Sequence, residues 1–274
     1  MRSIFGPSLL FSAAALVVAA PAFAQHHAED EAAPSEDAPW SQADAYFDPD
    51  EMAASRAHVQ HHHGSENTLM VMADRFEMQD SDNATLGVFD VSASYGGDIN
   101  RLYVQLEGEY DFDASEAEHV SVDVLWSRAI STYFDLQAGI SYDIEPDGLA
   151  HAALGFQGLA PYWFEVDGRA YLSEKGDLTA KFEAEYDFLL TQRLILQPRA
   201  ELKFAAQDDP EHKTGSGLTN FETGLRLRYD IIREFSPYIG ITYHAAMGET
   251  DDMLEVAGED TDSAAFLVGF RAWY

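Results

Sequence analysis

A period of two constrains this chain more than any other feature. Between 178 and 188, Leu178, Ala180, Phe182, Ala184, Tyr186 and Phe188 alternate with Thr179, Lys181, Glu183, Glu185 and Asp187. Residues 101–112 repeat the pattern, with Leu102, Val104, Leu106 and Tyr110 set against Arg101, Gln105, Glu107 and Glu109. So do residues 221–231, where Phe221, Leu225, Leu227 and Tyr229 alternate with Glu222, Arg226, Arg228 and Asp230. Neighbouring side chains of an extended strand point to opposite faces, so each segment carries one apolar and one charged face.

Alternation by itself also suits a soluble sandwich whose charged faces meet water. Two further features favour a barrel in a membrane. The charged face mixes both signs, strand after strand, and the segments run to about 10–12 residues, the length of a tilted strand crossing a bilayer. Aromatic residues stand near strand ends, at Tyr95, Tyr133, Tyr142, Tyr162, Trp163 and Tyr238, where interfacial girdles belong. The chain closes on Ala264, Phe266, Val268, Phe270, Ala272 and Tyr274. This apolar stripe ending in an aromatic carboxy-terminal residue resembles the insertion signal of bacterial outer-membrane barrels. The expectation is an all-β fold, a transmembrane antiparallel β-barrel of about twelve strands over residues 67–274. An even count puts both barrel ends on the periplasmic side and the longest loops, near 206–219 and 247–263, outside. The first strand, near 68–78, has the poorest alternation.

Charge excludes another class of function. Among 274 residues, 48 are acidic and 16 basic, a net −32, whereas phosphate binding needs a basic surface. Nucleic acid is therefore not a partner. With no cysteine, neither a disulfide framework nor a thiolate metal site can form. One apolar run lies at the N-terminus. Arg2, the stretch Leu9–Ala20 and the small-residue site Ala22-Phe23-Ala24 read as a signal peptide of residues 1–24. The mature chain then begins at Gln25 and leaves the cytoplasm.

Residues 25–66 have hardly any aliphatic content, so burial cannot offset their ordering entropy, and a flexible acidic tail is expected. This tail carries six histidines: His26, His27, His58, His61, His62 and His63. Neutral imidazole is a metal ligand, and three consecutive histidines with His58 nearby favour metal capture over an incidental linker.

Longer motifs connect the barrel segment with a family. The run Glu185-Tyr186-Asp187-Phe188-Leu189-Leu190-Thr191-Gln192-Arg193-Leu194-Ile195-Leu196-Gln197-Pro198 resembles a signature of the copper resistance protein B family. So do Leu225-Arg226-Leu227-Arg228-Tyr229, Arg233-Glu234-Phe235, Pro237-Tyr238-Ile239-Gly240 and, upstream, Gly97-Asp98-Ile99-Asn100-Arg101-Leu102. The resemblance covers the chain from 67 to its end. It implies an outer-membrane protein of copper homeostasis, with copper ions as ligand or substrate and a periplasmic multicopper oxidase as usual partner. The family's N-terminal segment is typically rich in Met-His-Asp repeats, whereas here one methionine, Met52, stands among the six histidines. Imidazole suits Cu(II) and thioether sulfur Cu(I), so this tail is suited to oxidised copper.

Further candidate ligands are ordered by topology. Met70 and Met72 open the first strand near the periplasmic mouth. His119, His151, His244 and Met247 fall at or beyond the outer strand ends, as do Met78, His212 and Met253. His119, His151 and His244 share parity with lumen-facing neighbours. They are expected to converge at the outer rim, under a flexible loop carrying Met247 and Met253. Inward charges, among them Glu107, Asp123, Glu183, Arg193, Arg199 and Arg226, are expected to pair across strands and fill the lumen. The acidic excess favours cations, and the alternative function is a general cation-preferring porin or a structural outer-membrane barrel without a specific metal role. No sequence context around Ser127, Ser131 or Ser141 supports an enzyme.

Overall fold

A computed structural model describes residues 43–44, 46–63, 66–81, 84–146, 148–210 and 212–274. The expected signal peptide (1–24) and the candidate ligands His26 and His27 lie outside the described residues.

Residues 25–42 of the expected flexible tail lie outside the described residues; its later part differs from the expectation and forms a helix, α1 (Pro49–His63). The difference has a local cause. Asp48 Oδ1 accepts hydrogen bonds from the backbone N–H groups of Asp50 at 2.9 Å and Glu51 at 3.2 Å, which caps the first turn. Asp50 and Glu51 also favour the positive end of the helix dipole, and Ala53, Ala54 and Ala57 are strong helix formers. Arg56 forks onto both carboxylate oxygens of Asp44, at 2.6 and 2.9 Å. Scarcity of aliphatic residues denies α1 an apolar face without denying it local helical order.

The strands follow as β1 (Thr68–Ser81), β2 (Thr85–Gly96), β3 (Asn100–Asp111), β4 (Glu116–Ala129), β5 (Phe134–Glu145), β6 (Leu149–Ala160) and β7 (Phe164–Ser173). They continue as β8 (Leu178–Glu185), β9 (Phe188–Leu189), β10 (Leu194–Ala205), β11 (Gly217–Tyr229), β12 (Phe235–Ala246) and β13 (Asp262–Trp273). Neighbours are antiparallel, and β13 pairs with β1, which closes the sheet. Both β8 and β9 lie against β10, so thirteen segments make twelve staves. The interruption at Tyr186 and Asp187 stands opposite Pro198, which has no N–H to give to the ladder.

Both barrel ends lie at one rim, called here the terminal rim. Its connections are short, whereas residues 206–216 and 247–261, at the loop rim, are long. The latter holds helix α2 (Glu249–Ala257).

The faces are inverted relative to a water-soluble protein. Arg199 and Arg226 are each 2% exposed, while Phe266 is 75% and Ile140 65% exposed. Apolar surface gains about 25 cal/mol per Å² on leaving water, so an outward band of this kind belongs in hydrocarbon. Exposed Tyr133 and Trp163 meet edge to face at 6.2 Å near the terminal rim, as a girdle requires. Tyr238 departs from the expected girdle. It is buried inside, where its hydroxyl donates to Glu77 Oε2 at 3.0 Å.

β1 explains its own poor alternation. Its register against β2 slips between Ala73 and Arg75. The bulge lets Met70, Met72 and Asp74 face the lumen, and then Arg75, Glu77 and Gln79 as well.

Candidate functional site

The lumen is crossed at mid-height by a layer of ion pairs. On β10, Arg199 reaches Glu183 of β8 at 2.6 Å and Glu222 of β11 at 2.7 Å, and pairs with Glu201 on its own strand. Glu77 of β1 accepts two hydrogen bonds from Arg226 of β11, at 2.9 and 3.1 Å. Arg169 of β7 reaches Asp123 of β4 at 2.9 Å, and Lys181 of β8 lies 2.8 Å from both carboxylate oxygens of Glu107 on β3. Charges withdrawn from bulk water need such partners, and the expected cross-strand pairing is present. Arg193 is the exception: expected inside, it lies exposed in the turn between β9 and β10.

Cavities flank this layer. Toward the terminal rim is one of about 340 Å³, lined by seven carboxylates and four cationic side chains together with Met70 and Met72. Met72 Sδ accepts a weak hydrogen bond from Arg271 Nη2 at 3.5 Å, and Arg271 Nε holds Asp74 at 2.9 Å. Toward the loop rim a pocket of about 10 Å³ is lined by His119, Glu109 and Lys203, among others.

The histidines face inward as their parity requires, but they do not meet. His119 lines the small pocket. His151 Nε2 lies 2.9 Å from Asp143 Oδ2, with its Nδ1 buried and unpartnered, and its ring meets Tyr171 edge to face. Asn220 Nδ2 lies 3.1 Å from His244 Nε2. β12, which carries His244, is five staves from both β4 and β6. Each ring has its own surroundings: His119 the small pocket, His151 the Asp143 carboxylate and His244 the Asn220 amide, and neither cavity is lined by two of them. The expected convergence of His119, His151 and His244 is therefore corrected: parity decides inward or outward, but strand order decides the place on the circumference. Among the described residues, no group of three or more His, Asp or Glu side chains is placed to hold a metal ion.

The loop over His244 is also not the loose cover expected of it. Met247 N donates to Thr219 O at 2.8 Å, and Met253 lies on α2. That helix is fastened to the neighbouring loop by Gly215 N donating to Thr250 Oγ1 (2.9 Å), by Ser216 Oγ donating to Glu249 (3.3 Å), and by Lys213 pairing with Glu259. Of the other candidates, Met78 is exposed on the lipid face and His212 pairs with Asp209 at 2.7 Å. His58 and His61 are exposed one turn apart on α1, the helix that also includes His62 and His63.

Sequence reasoning missed the cross-lumen partners, above all Lys181 with Glu107. Each belongs to an alternating segment, but no spacing in the sequence pairs β8 with β3.

Residues 67–274 match the family described as copper resistance protein B precursor (CopB). The chain is 41% identical over 213 residues to copper resistance protein B of Escherichia coli, covering 77% of this chain and 71% of that protein. It is 38% identical over 229 residues to a copper resistance protein B homolog of Pseudomonas syringae pv. tomato, covering 83% and 77% respectively. Among solved structures it is similar in fold to the NanC porin, with a TM-score of 0.50 and 12% identity, over 75% of this chain and 99% of that one.

Proposed function

This chain belongs to the copper resistance protein B family, and on that premise we propose that it binds copper ions as substrate and passes them along its lumen across the outer membrane. The family gives the role in copper resistance; the passage is our reading of the lumen.

The observation that carries it is the inward position of Met70 and Met72. On the outer face of β1 these side chains would meet hydrocarbon, their natural surroundings. Instead the bulge holds two thioethers among carboxylates, where soft sulfur has little to pack against. The carboxylate excess concentrates cations, and the thioethers then favour Cu(I) over harder ions such as zinc. Met72 exchanges its weak bond to Arg271 for the metal. His119, His151 and His244 stand near the loop rim on other staves, an arrangement suited to transient binding at several weak sites rather than storage at one.

The N-terminal histidines, His26, His27, His58, His61, His62 and His63, gather Cu(II) on the periplasmic side in this reading. A periplasmic multicopper oxidase is the partner that exchanges copper with them. The role is one of binding and transport, without catalysis.

Replacing Met70 and Met72 together by Leu keeps the side-chain volume and removes the sulfur. Cu(I) titration of the folded, full-length double variant should show affinity reduced about tenfold or more, roughly 1.4 kcal/mol, with zinc binding unchanged. Unchanged Cu(I) affinity contradicts the proposal and favours the cation-preferring porin.

A further inference from the structure

The larger and the smaller cavity described above meet at one flexible side chain. Among the described residues, Lys181 alone lines both. Its ammonium lies 2.8 Å from each carboxylate oxygen of Glu107 on β3 and 3.7 Å from Glu201 on β10. β3 and β8 are five staves apart, so the contact with Glu107 crosses the lumen instead of following the wall. A round twelve-stave section would separate these walls by roughly 23 Å, more than extended Lys and Glu side chains span together, so the lumen is pinched along this line.

The arginines at this level are held differently: Arg75 is buried in the smaller pocket, 3.8 Å from Glu222. Arg199 is fixed between adjacent staves by Glu183 and Glu222, and its side chain is only 1% exposed. Its planar fork is bound along the wall on several sides. Lys181 is a point charge on a four-carbon stem, 15% exposed, with open volume beneath it. Lys203, 3.5 Å from Glu201 and lining the smaller pocket, stands on the far side.

We propose that Lys181 is a tethered cation that closes the lumen. Its ammonium occupies the place between Glu107 and Glu201 that a permeating cation would take, and it swings into the larger cavity as that cation arrives. Charge stays balanced throughout, because the incoming ion replaces the ammonium at the same two carboxylates. The lumen is shut at rest and opens by exchange, for inorganic cations in general. The proposal rests on the reading of the lumen as a cation path and names the residue that controls it.

Single-channel conductance in planar bilayers with KCl tests this on the full-length protein. Lys181→Met should raise conductance at least roughly threefold and make the reversal potential more cation-selective, since the carboxylates remain while the plug is gone. Lys181→Arg, whose fork grips the two carboxylates at least as firmly, should conduct no more than the parent, and Lys175→Met, which removes the same charge in the exposed β7–β8 turn, should stay at the parent level. Glu107→Gln, which weakens the ammonium's hold from the opposite wall, should also raise conductance and serves if Lys181→Met does not fold. Heat-shifted mobility in electrophoresis confirms which variants are folded. Folded Lys181→Met or Glu107→Gln barrels that conduct as the parent does overturn the proposal. Because KCl contains no copper, that failure is distinct from a failure of the methionine titration.

Discussion

Four carboxylates converge on Arg199: Glu183, Glu185, Glu201 and Glu222. Arg199→Met leaves them without their shared counter-ion in a largely buried layer, and should cost about 3–5 kcal/mol. The denaturant midpoint of the detergent-folded barrel measures this, and a loss below about 1 kcal/mol would show that the layer is water-screened after all. The histidines give the opposite expectation. Because His151 and His244 have separate partners and line no common cavity, their replacement by Ala should weaken copper binding additively, with a coupling no larger than about 0.5 kcal/mol in a double-mutant cycle. A larger coupling would mean that they share an ion. Residue-level reading of the sequence succeeded where parity alone decides, as for Glu107, Asp123 and Arg226. It failed for Tyr238, whose hydroxyl found Glu77 inside, and for Arg193, which lies in the turn beyond the last inward position.

At the scale of elements, loops and caps hold what composition concealed. A Cβ on Gly215 would lie 2.4 Å from Glu249 Cβ, so the loop of residues 206–216 and α2 dock through that missing atom. Gly215→Val should detach α2 and speed proteolysis within residues 248–258 several-fold, while unchanged cleavage would show that the helix stands without its dock. The sequence displayed the length of this loop but not its helix, because nine largely polar residues gain their order from a neighbour. α1 was hidden for a related reason: its Asp48 cap and alanines act locally and leave no apolar periodicity. On α1, replacing His61, His62 and His63 together by Ala should weaken Cu(II) binding more than Met52→Leu, and binding should fall as protons compete for imidazole nitrogen at acid pH. A triple variant that titrates like the parent contradicts that site.

At the scale of the molecule, the barrel was legible because every stave obeys the same period and the same inversion of faces. Its closure, long loops and twelve staves followed from alternation and turn placement. What lay out of reach was the lumen's cross-section. Which charges meet across it depends on bulges, as in β1, and on the pinch between β3 and β8, neither of which leaves a mark in one-dimensional spacing. The proposed role is conduction and recognition of copper in this lumen. Proteoliposomes containing the full-length protein, loaded with a metal-sensitive dye and challenged separately with Cu(I) and zinc, test it most directly. Copper should cross faster than zinc, and the Met70→Leu, Met72→Leu variant should lose that preference while remaining folded. Equal copper and zinc rates in the parent, or a copper rate no higher than in protein-free liposomes, would contradict it.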